Sequence, residues 1–185
     1  GFQKRGSNET VLVKSCPVCC AGINAFIAGM PYINGNRITV FAPGDECYSG
    51  ESCGDFSDES YARPYTGKKT ARQEEPLFPV IKVPLKDRII ETDISCFFQS
   101  NIPMLEKAVD MIISRAEGKS FYDLYCGVGV FGSFLADFAE RIVSVESSLG
   151  AVKHARKNIA SGPAGASARD FYSIPVERFV KQSEN

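Results

Sequence analysis

The sequence predicts an α/β fold in which a partial, Rossmann-like parallel sheet follows a small antiparallel α+β unit. Apolar runs at 120–125 and 141–146 predict buried strands, and the segments after them have the period of amphipathic helices. Strands that alternate with helices build a parallel sheet, because each helix returns the chain to the edge where the next strand begins. The first half has short strands separated by turn signals, which is typical of antiparallel pairing.

A glycine-rich turn lies between the first parallel strand and its helix, in the run DLYCGVGVFG from Asp123 to Gly132. Gly127 and Gly129 let a bound ligand approach the backbone closely because they carry no side chain. The next strand ends on Glu146, 19 residues after Gly127, where a carboxylate can accept hydrogen bonds from both ribose hydroxyls. This order predicts a nucleoside-binding site, although the glycine pattern alone also fits a dinucleotide.

The remaining elements are predicted from hydrophobic period and turn residues. Asn101 is the expected N-cap of a helix that has Pro103 in its first turn and ends at Gly118. The segment 44–76 is predicted as a long polar loop with some pairing, and 161–167 as a loop. The other predictions are strands at 10–14, 38–41, 78–83, 88–92 and 168–173, and helices at 20–28, 131–139 and 148–160.

Composition narrows the class of protein. The chain has 185 residues and a formal net charge of −1, and no apolar run approaches the roughly 20 residues that a membrane helix needs. Seven cysteines without a secretory signal favour the reducing cytoplasm.

No metal site is predicted, because there is one histidine and the cysteines are not spaced as two zinc-binding pairs. The cysteines weighed for such a site are Cys16, Cys19, Cys20, Cys47 and Cys53.

Two motifs together resemble the RNA (uracil-5-)-methyltransferase family, within the class I S-adenosylmethionine-dependent methyltransferases. The run Asp123–Gly129 is similar to the family's Asp-Leu-Phe/Tyr-Cys-Gly-x-Gly, and Phe97–Asn101 is similar to its Phe-Phe-Gln-x-Asn. A looser likeness to the start of the family's central domain lies in Gly1–Arg5, Cys16–Pro17 and Ala21–Asn24. The resemblance therefore covers most of the chain and is strongest from 94 to 160.

The resemblance implies an enzyme that transfers a methyl group from S-adenosylmethionine to C5 of uridine in tRNA or rRNA. It implies a central α+β domain at 1–93 and the first half of the methyltransferase domain at 94–185. Val130 departs from the asparagine that is frequent at its position. An acid for the adenine amino group is left unassigned, since Asp170 and Glu177 are out of register. The implied cofactor-binding residues are Gln99, Tyr125, Gly127, Gly129, Val130 and Glu146.

The resemblance assigns no catalytic residue to the chain. C5 methylation of uracil needs a cysteine thiolate that adds at C6 and a base that removes the C5 proton. In the family both come from segments that correspond to positions after residue 185. The 185-residue chain alone is therefore expected to be inactive, and Cys126 is expected to be a structural neighbour of the cofactor.

Three alternatives remain open from the sequence. One is a methyltransferase that acts on a base nitrogen or a protein, another is a nicotinamide-dependent oxidoreductase, and the third is a non-catalytic RNA-binding module. Basic residues in the polar loop could meet RNA phosphates, or they could simply face solvent. The four residues considered for phosphate contacts are Arg63, Lys68, Lys69 and Arg72.

Overall fold

A computed structural model describes residues 2–7, 9–11, 13–29, 37–43, 47–52, 78–160 and 168–183. The chain divides by packing into two compact units, Gly1–Leu77 and Phe78–Asn185. Among the described residues, no helix is both long enough and apolar enough to cross a bilayer. The predicted loop at 161–167, Cys53 and the four basic residues of the 44–76 segment lie outside the described residues.

The described part of the first unit contains two antiparallel strand pairs and one helix. Strand β1 (Phe2–Gln3) pairs with β2 (Thr10–Val11), and helix α1 follows at Ala21–Gly29. Strand β3 (Arg37–Phe41) pairs with β4 (Tyr48–Ser52) from Phe41↔Tyr48 to Arg37↔Ser52. The described part of this unit therefore has the antiparallel α+β character that the sequence predicts.

The second unit opens with a hairpin of β5 (Ile81–Leu85) and β6 (Arg88–Thr92). Alternate residues of β5 are buried, so one face of the hairpin enters a core that also contains Leu105 and Phe134. The predicted strands 78–83 and 88–92 leave Pro84–Asp87 as the turn between them, but Pro84 lies within β5, opposite Ile89. A proline fits there because it is exposed on a two-stranded pair.

Helix α2 (Ile102–Arg115) begins as predicted. The side chain of Asn101 accepts a hydrogen bond from the Met104 N–H, 3.1 Å away, and Pro103 lies in the first turn. The helix ends earlier than Gly118, because its C-cap is Ala116 in an extended conformation. Leu105 and Val109 are its buried residues, one turn apart on the face that meets the core.

Three parallel strands with intervening helices form the rest of the unit. Strand β8 lies between β7 and β9, which explains why four of its five residues are buried. The parallel sheet follows antiparallel strand pairs in the chain, and this arrangement confirms the predicted α/β fold class. The elements are β7 (Ser120–Leu124), α3 (Val130–Leu135), β8 (Arg141–Val145), α4 (Leu149–Ala160), β9 (Ala168–Tyr172) and α5 (Val176–Ser183).

Two further helices, α3 and α5, differ from the prediction. Helix α3 ends at Leu135 rather than residue 139, because the chain turns there so that Glu140 and Arg141 can donate backbone hydrogen bonds to the Lys119 carbonyl. Helix α5 was not predicted. Its buried Val176 packs against Val143 and Val145 of the central strand, so tertiary packing stabilises a short segment after Pro175.

The packing boundary falls between Leu77 and Phe78, ahead of the predicted domain boundary at 93/94. The reason is that the β5–β6 hairpin shares the core of the second unit. The assignment of separate roles to 1–93 and 94–185 concerns function and stays a prediction.

Candidate functional site

The turn after β7 and the residue after β8 lie together at the carboxyl edge of the parallel sheet. The Cys126 N–H donates to the Val145 carbonyl at 3.1 Å, and the Glu146 N–H donates to the Tyr172 carbonyl at 3.1 Å. These bonds continue the parallel pairing one step past the strands. The carboxyl edge is where open α/β sheets bind their ligands.

A direct contact joins the glycine turn to Glu146. The Gly127 N–H donates to Glu146 Oε2 at 3.2 Å. The other carboxylate oxygen, Oε1, accepts the Ser148 N–H at 2.8 Å and the Ser147 hydroxyl at 3.1 Å. A carboxylate has about four lone-pair positions, so this one is held in orientation with one position free, and a second becomes free when the Ser147 hydroxyl rotates away.

The two glycines of the turn have different structural roles. Gly127 has a φ of +53°, and a Cβ there would face open space. Gly129 has a φ of +79°, and a Cβ there would lie 2.9 Å from both the Cα and the Cβ of Ala155 on α4. Gly127 is therefore open to a ligand, whereas Gly129 allows α4 to pack closely against the turn.

Tyr125 is held in an unusual conformation at the end of β7. Its φ is +58°, in the left-handed region that non-glycine residues rarely occupy, and its side chain is 66% exposed. The phenol nonetheless has a fixed partner, since its hydroxyl donates to Glu177 Oε1 of α5 at 2.7 Å. This hydrogen bond lowers the pKa of Glu177 and raises that of Tyr125.

The other two predicted site residues lie outside this contact set. Val130 begins α3 and packs half-buried against the core that contains Leu105 and Phe134. Gln99 is exposed in the segment before α2. Among the described residues, no hydrogen bond joins Gln99 to the glycine turn or to Glu146. The structure thus brings Gly127 and Glu146 into contact. Within the described part of the chain, Gln99 has no direct hydrogen bond to these two residues.

Asp123 supports the turn from beneath. Its Oδ2 accepts the Gly132 N–H at 3.0 Å, which ties the end of β7 to the first turns of α3. Burial raises the pKa of Asp123 to about 6, and the hydrogen bond from Gly132 offsets only part of this effect. The chain therefore holds a desolvated carboxyl group under the site, which costs stability once the group is ionised.

We expect Asp123→Asn to stabilise the chain above about pH 6. The protonated carboxyl group favours the folded state fully below its unfolded pKa of 3.8, and that stability is lost as the pH rises through the folded value of about 6. A shift of about two units corresponds to roughly 3 kcal/mol, reduced by any unpaired amide, so the gain at pH 7.5 should be about 1–3 kcal/mol.

Urea unfolding of both proteins from pH 4 to pH 8 measures this effect. The exposed Asp87 supplies the control, because Asp87→Asn removes a carboxylate that stays in water. Parallel pH profiles for the chain and Asp123→Asn would show that Asp123 is not desolvated.

Neither described cysteine of the second unit is suited to act as a nucleophile. Burial raises the pKa of Cys126 to about 12, and the charges of Asp123 and Glu146 act in the same direction. Burial likewise raises the pKa of Cys96 to about 12. A reactive cysteine needs a lowered thiol pKa, so both side chains are protonated thiols at neutral pH.

The N-terminal cysteines lie in a turn that a single asparagine organises. The Asn24 side chain accepts the Cys16 N–H at 2.7 Å and donates to the Cys16 and Cys19 carbonyls at 3.0 Å each. Cys16 is buried, whereas Cys20 and Cys47 are exposed. The expectation that these cysteines bind no metal stays a prediction.

Comparison with known proteins identifies the family. The family model described as tRNA (uracil-5-)-methyltransferase matches residues 63–166, which is more than half of the chain. The chain belongs to the tRNA (uracil-5-)-methyltransferase family. The match includes the hairpin, the glycine turn and Glu146, so this part of the candidate site lies within the matched range.

Relatives of this tRNA (uracil-5-)-methyltransferase family member are longer. An uncharacterised RNA methyltransferase of Treponema denticola is 27% identical over 160 residues, which cover 85% of this chain and 33% of the relative. A tRNA/tmRNA (uracil-C(5))-methyltransferase of Campylobacter lari is 32% identical over 95 residues, covering 50% of this chain and 28% of the relative. The chain thus spans about a third of the length of these relatives or less.

The chain is also similar to solved structures, of which one is a uracil-C5 methyltransferase. The Pyrococcus abyssi tRNA (uracil-54, C5)-methyltransferase, in complex with S-adenosyl-L-homocysteine, is 25% identical. The match covers 64% of this chain and 27% of that one, with a TM-score of 0.45.

Proposed function

We propose that this chain is the cofactor-binding part of an enzyme that transfers a methyl group from S-adenosylmethionine to C5 of uridine in tRNA or rRNA. The observation that carries the proposal is the hydrogen bond from the Gly127 N–H to Glu146 at the carboxyl edge of the sheet. This contact places an oriented carboxylate beside an open glycine turn. Such an arrangement suits the ribose of a nucleoside, and the family membership selects a methyl donor.

Each side chain of the site has a definite task in this proposal. Glu146 accepts hydrogen bonds from the ribose hydroxyls. Gly127 has no side chain, which leaves space for the nucleoside. Gly129 acts indirectly, because it lets α4 pack against the turn. Tyr125, which Glu177 holds in place, forms one wall of the site, and Gln99 approaches the cofactor from the segment before α2.

The remaining predicted contact, Val130, offers a different interaction. A valine has no side-chain hydrogen-bond donor, and this one packs into the core. Any polar contact at this position therefore comes from the backbone of the first turn of α3. Backbone N–H groups at the start of a helix are free of intrahelical partners and can serve a ligand.

The cofactor supplies an electrophilic methyl group when it is bound. We assign none of the described residues as the nucleophile or the base, since Cys96 and Cys126 are protonated thiols. The proposal follows the resemblance in placing the cysteine and the base in segments beyond residue 185. We therefore expect no methyl transfer by the 185-residue chain alone.

The RNA substrate is proposed from the family. Names of relatives include a tRNA (uracil(54)-C(5))-methyltransferase of Pyrococcus horikoshii and a 23S rRNA (uracil(747)-C(5))-methyltransferase of Pyrococcus abyssi. Both tRNA and rRNA are therefore candidate substrates of the proposed enzyme. We further propose that the polar segment 44–76 helps to position RNA through its basic residues, and that the enzyme works in the cytoplasm.

The cofactor assignment predicts a specific loss on changing Glu146. Glu146→Ala should weaken S-adenosylhomocysteine binding by roughly 1–3 kcal/mol, because both ribose hydroxyls would lose their acceptor. Calorimetry of the chain, extended to the length of its relatives, measures this loss. NADH is titrated in parallel, because the glycine pattern alone also fits a dinucleotide.

The control is Glu140→Ala, which removes an exposed carboxylate shortly before β8 that pairs with Lys119. S-adenosylhomocysteine affinity should be unchanged in this variant. Binding of NADH without binding of S-adenosylhomocysteine would overturn the cofactor assignment. Equal losses in both variants would show that Glu146 has no specific contact with the ligand.

A further inference from the structure

Three metal-ligating side chains that are not among the proposed cofactor contacts meet inside the second unit. Asp93 follows β6, Cys96 lies three residues later, and His154 is on α4. One ligand atom from each side chain lies within 4.8 Å of the other two. The side chains of His154 and Asp93 are largely buried, with 8% and 12% of their surface exposed. His154 Nε2 lies 2.9 Å from Asp93 Oδ2.

Ser95 orients the carboxylate of this cluster. Its N–H and its hydroxyl both donate to Asp93 Oδ1, at 2.8 and 2.5 Å. Oδ2 is thereby directed at His154. Burial by itself would raise the pKa of Asp93, but the hydrogen bonds from His154 and Ser95 outweigh it and lower the pKa to about 2. Such outer hydrogen bonds are typical supports of a metal-binding carboxylate.

We propose that Asp93, Cys96 and His154 form a Zn²⁺ site with three protein ligands and one open position. A carboxylate, a thiolate and an imidazole are the ligand types that Zn²⁺ combines, whereas Mg²⁺ and Ca²⁺ prefer oxygen ligands alone. Zinc bonds of 2.0–2.3 Å place tetrahedral ligand atoms about 3.3–3.8 Å apart. The observed cluster needs only small side-chain movements to reach that spacing.

Binding requires the release of a proton. The Cys96 thiol releases its proton to water as the Zn–S bond forms. The positive charge of the metal ion then stabilises the thiolate. His154 would bind through the lone pair of Nε2, with the ring N–H at Nδ1. That buried Nδ1 has no hydrogen-bond partner among the described residues, so the site lacks the outer acceptor that a metal-binding histidine usually has.

The cluster differs from a nucleophilic triad. A catalytic cysteine would be poised as a thiolate beside the histidine, but Cys96 is a protonated thiol whose neighbouring acid disfavours ionisation further. A metal ligand remains possible for such a thiol, because the cation supplies the stabilisation that the free thiolate lacks.

The proposed site has a structural consequence. It ties the segment 93–96 to α4, and Gln99 lies three residues after Cys96. A bound ion would therefore fix the segment that carries one proposed cofactor contact. This cluster was not among the candidates named from the sequence, since Asp93 and His154 are 61 residues apart and only folding brings them together. The inference does not depend on the proposed methyl transfer.

Cobalt titration of the 185-residue chain tests the site. Metal-free protein under reducing conditions should bind one Co²⁺, which Zn²⁺ displaces, with a near-ultraviolet sulfur-to-cobalt charge-transfer band. Cys96→Ser should abolish the band, and His154→Gln should weaken binding by at least about tenfold. Cys126→Ser is the matched control, since its thiol is also buried with a pKa of about 12, and it should bind as the unchanged chain does.

X-ray absorption of the zinc-loaded, unchanged chain keeps the test decisive if a variant fails to fold. One sulfur with nitrogen and oxygen neighbours is expected. Several sulfur ligands would instead place the metal at the N-terminal cysteines and overturn the proposal. Absence of stoichiometric binding would overturn it too, leaving a hydrogen-bonded cluster of Asp93, Ser95 and His154.

Discussion

Asn158→Ala should destabilise the chain by roughly 3–5 kcal/mol, because three backbone groups would lose their partner at once. Asn158 is 4% exposed on α4. Its Oδ1 accepts the Glu91 N–H at 2.8 Å, and its Nδ2 donates to the carbonyls of Glu91 and Val128 at 2.8 Å each. One side chain therefore joins the hairpin, α4 and the glycine turn, and its removal leaves polar groups unsatisfied on all three.

Chemical denaturation with and without S-adenosylhomocysteine measures this effect. Asn158→Asp should be at least as harmful, since it keeps the acceptor but sets a carboxylate against two carbonyl oxygens. Lys153→Ala, an exposed change on the same helix, should alter stability by no more than about 0.5 kcal/mol. A loss below 1 kcal/mol for Asn158→Ala would show that water replaces the side chain without penalty.

Gly129→Ala should cost roughly 2–5 kcal/mol and disturb the site. A residue other than glycine at a φ of +79° costs about 1–2 kcal/mol, and forcing a methyl group into packed atoms costs about 1–3 kcal/mol more. The added Cβ would meet the backbone of Ala155, so α4 must move away from the turn. S-adenosylhomocysteine affinity should fall as well, because the turn shifts.

Gly127→Ala is the matched comparison, two residues earlier. Its φ of +53° carries the conformational cost of about 1–2 kcal/mol, but the new methyl group meets open space. The difference between the two variants isolates the close approach of α4. If both lose the same stability, backbone conformation alone explains these glycines.

Several elements follow from local sequence, and the structure confirms them. The N-cap at Asn101, the glycine turn after β7 and the three strands of the parallel sheet are set by neighbouring residues. Errors occurred where tertiary packing outweighed local signals. Pro84 continues β5 on an exposed position, and α5 forms because Val176 meets the buried face of β8.

The candidate site shows the same division. Gly127 and Glu146 could be named from the sequence, because a glycine turn and an acid at a strand end are local patterns. Glu177 could not be assigned, since its contact with Tyr125 spans 52 residues and depends on how α5 packs. The spacing of Val176, Phe179 and Val180, at i, i+3 and i+4, is a helical signal in that segment.

By itself, then, the amino-acid sequence determined the fold class, the order of strand, turn and helix, and the family, because period, turn chemistry and motifs are properties of adjacent residues. Only the tertiary structure decided which distant side chains meet. Asn158 reaches Glu91 across 67 residues, and His154 reaches Asp93 across 61. Such contacts depend on the angles and distances at which helices pack on a hairpin, and no local pattern encodes those.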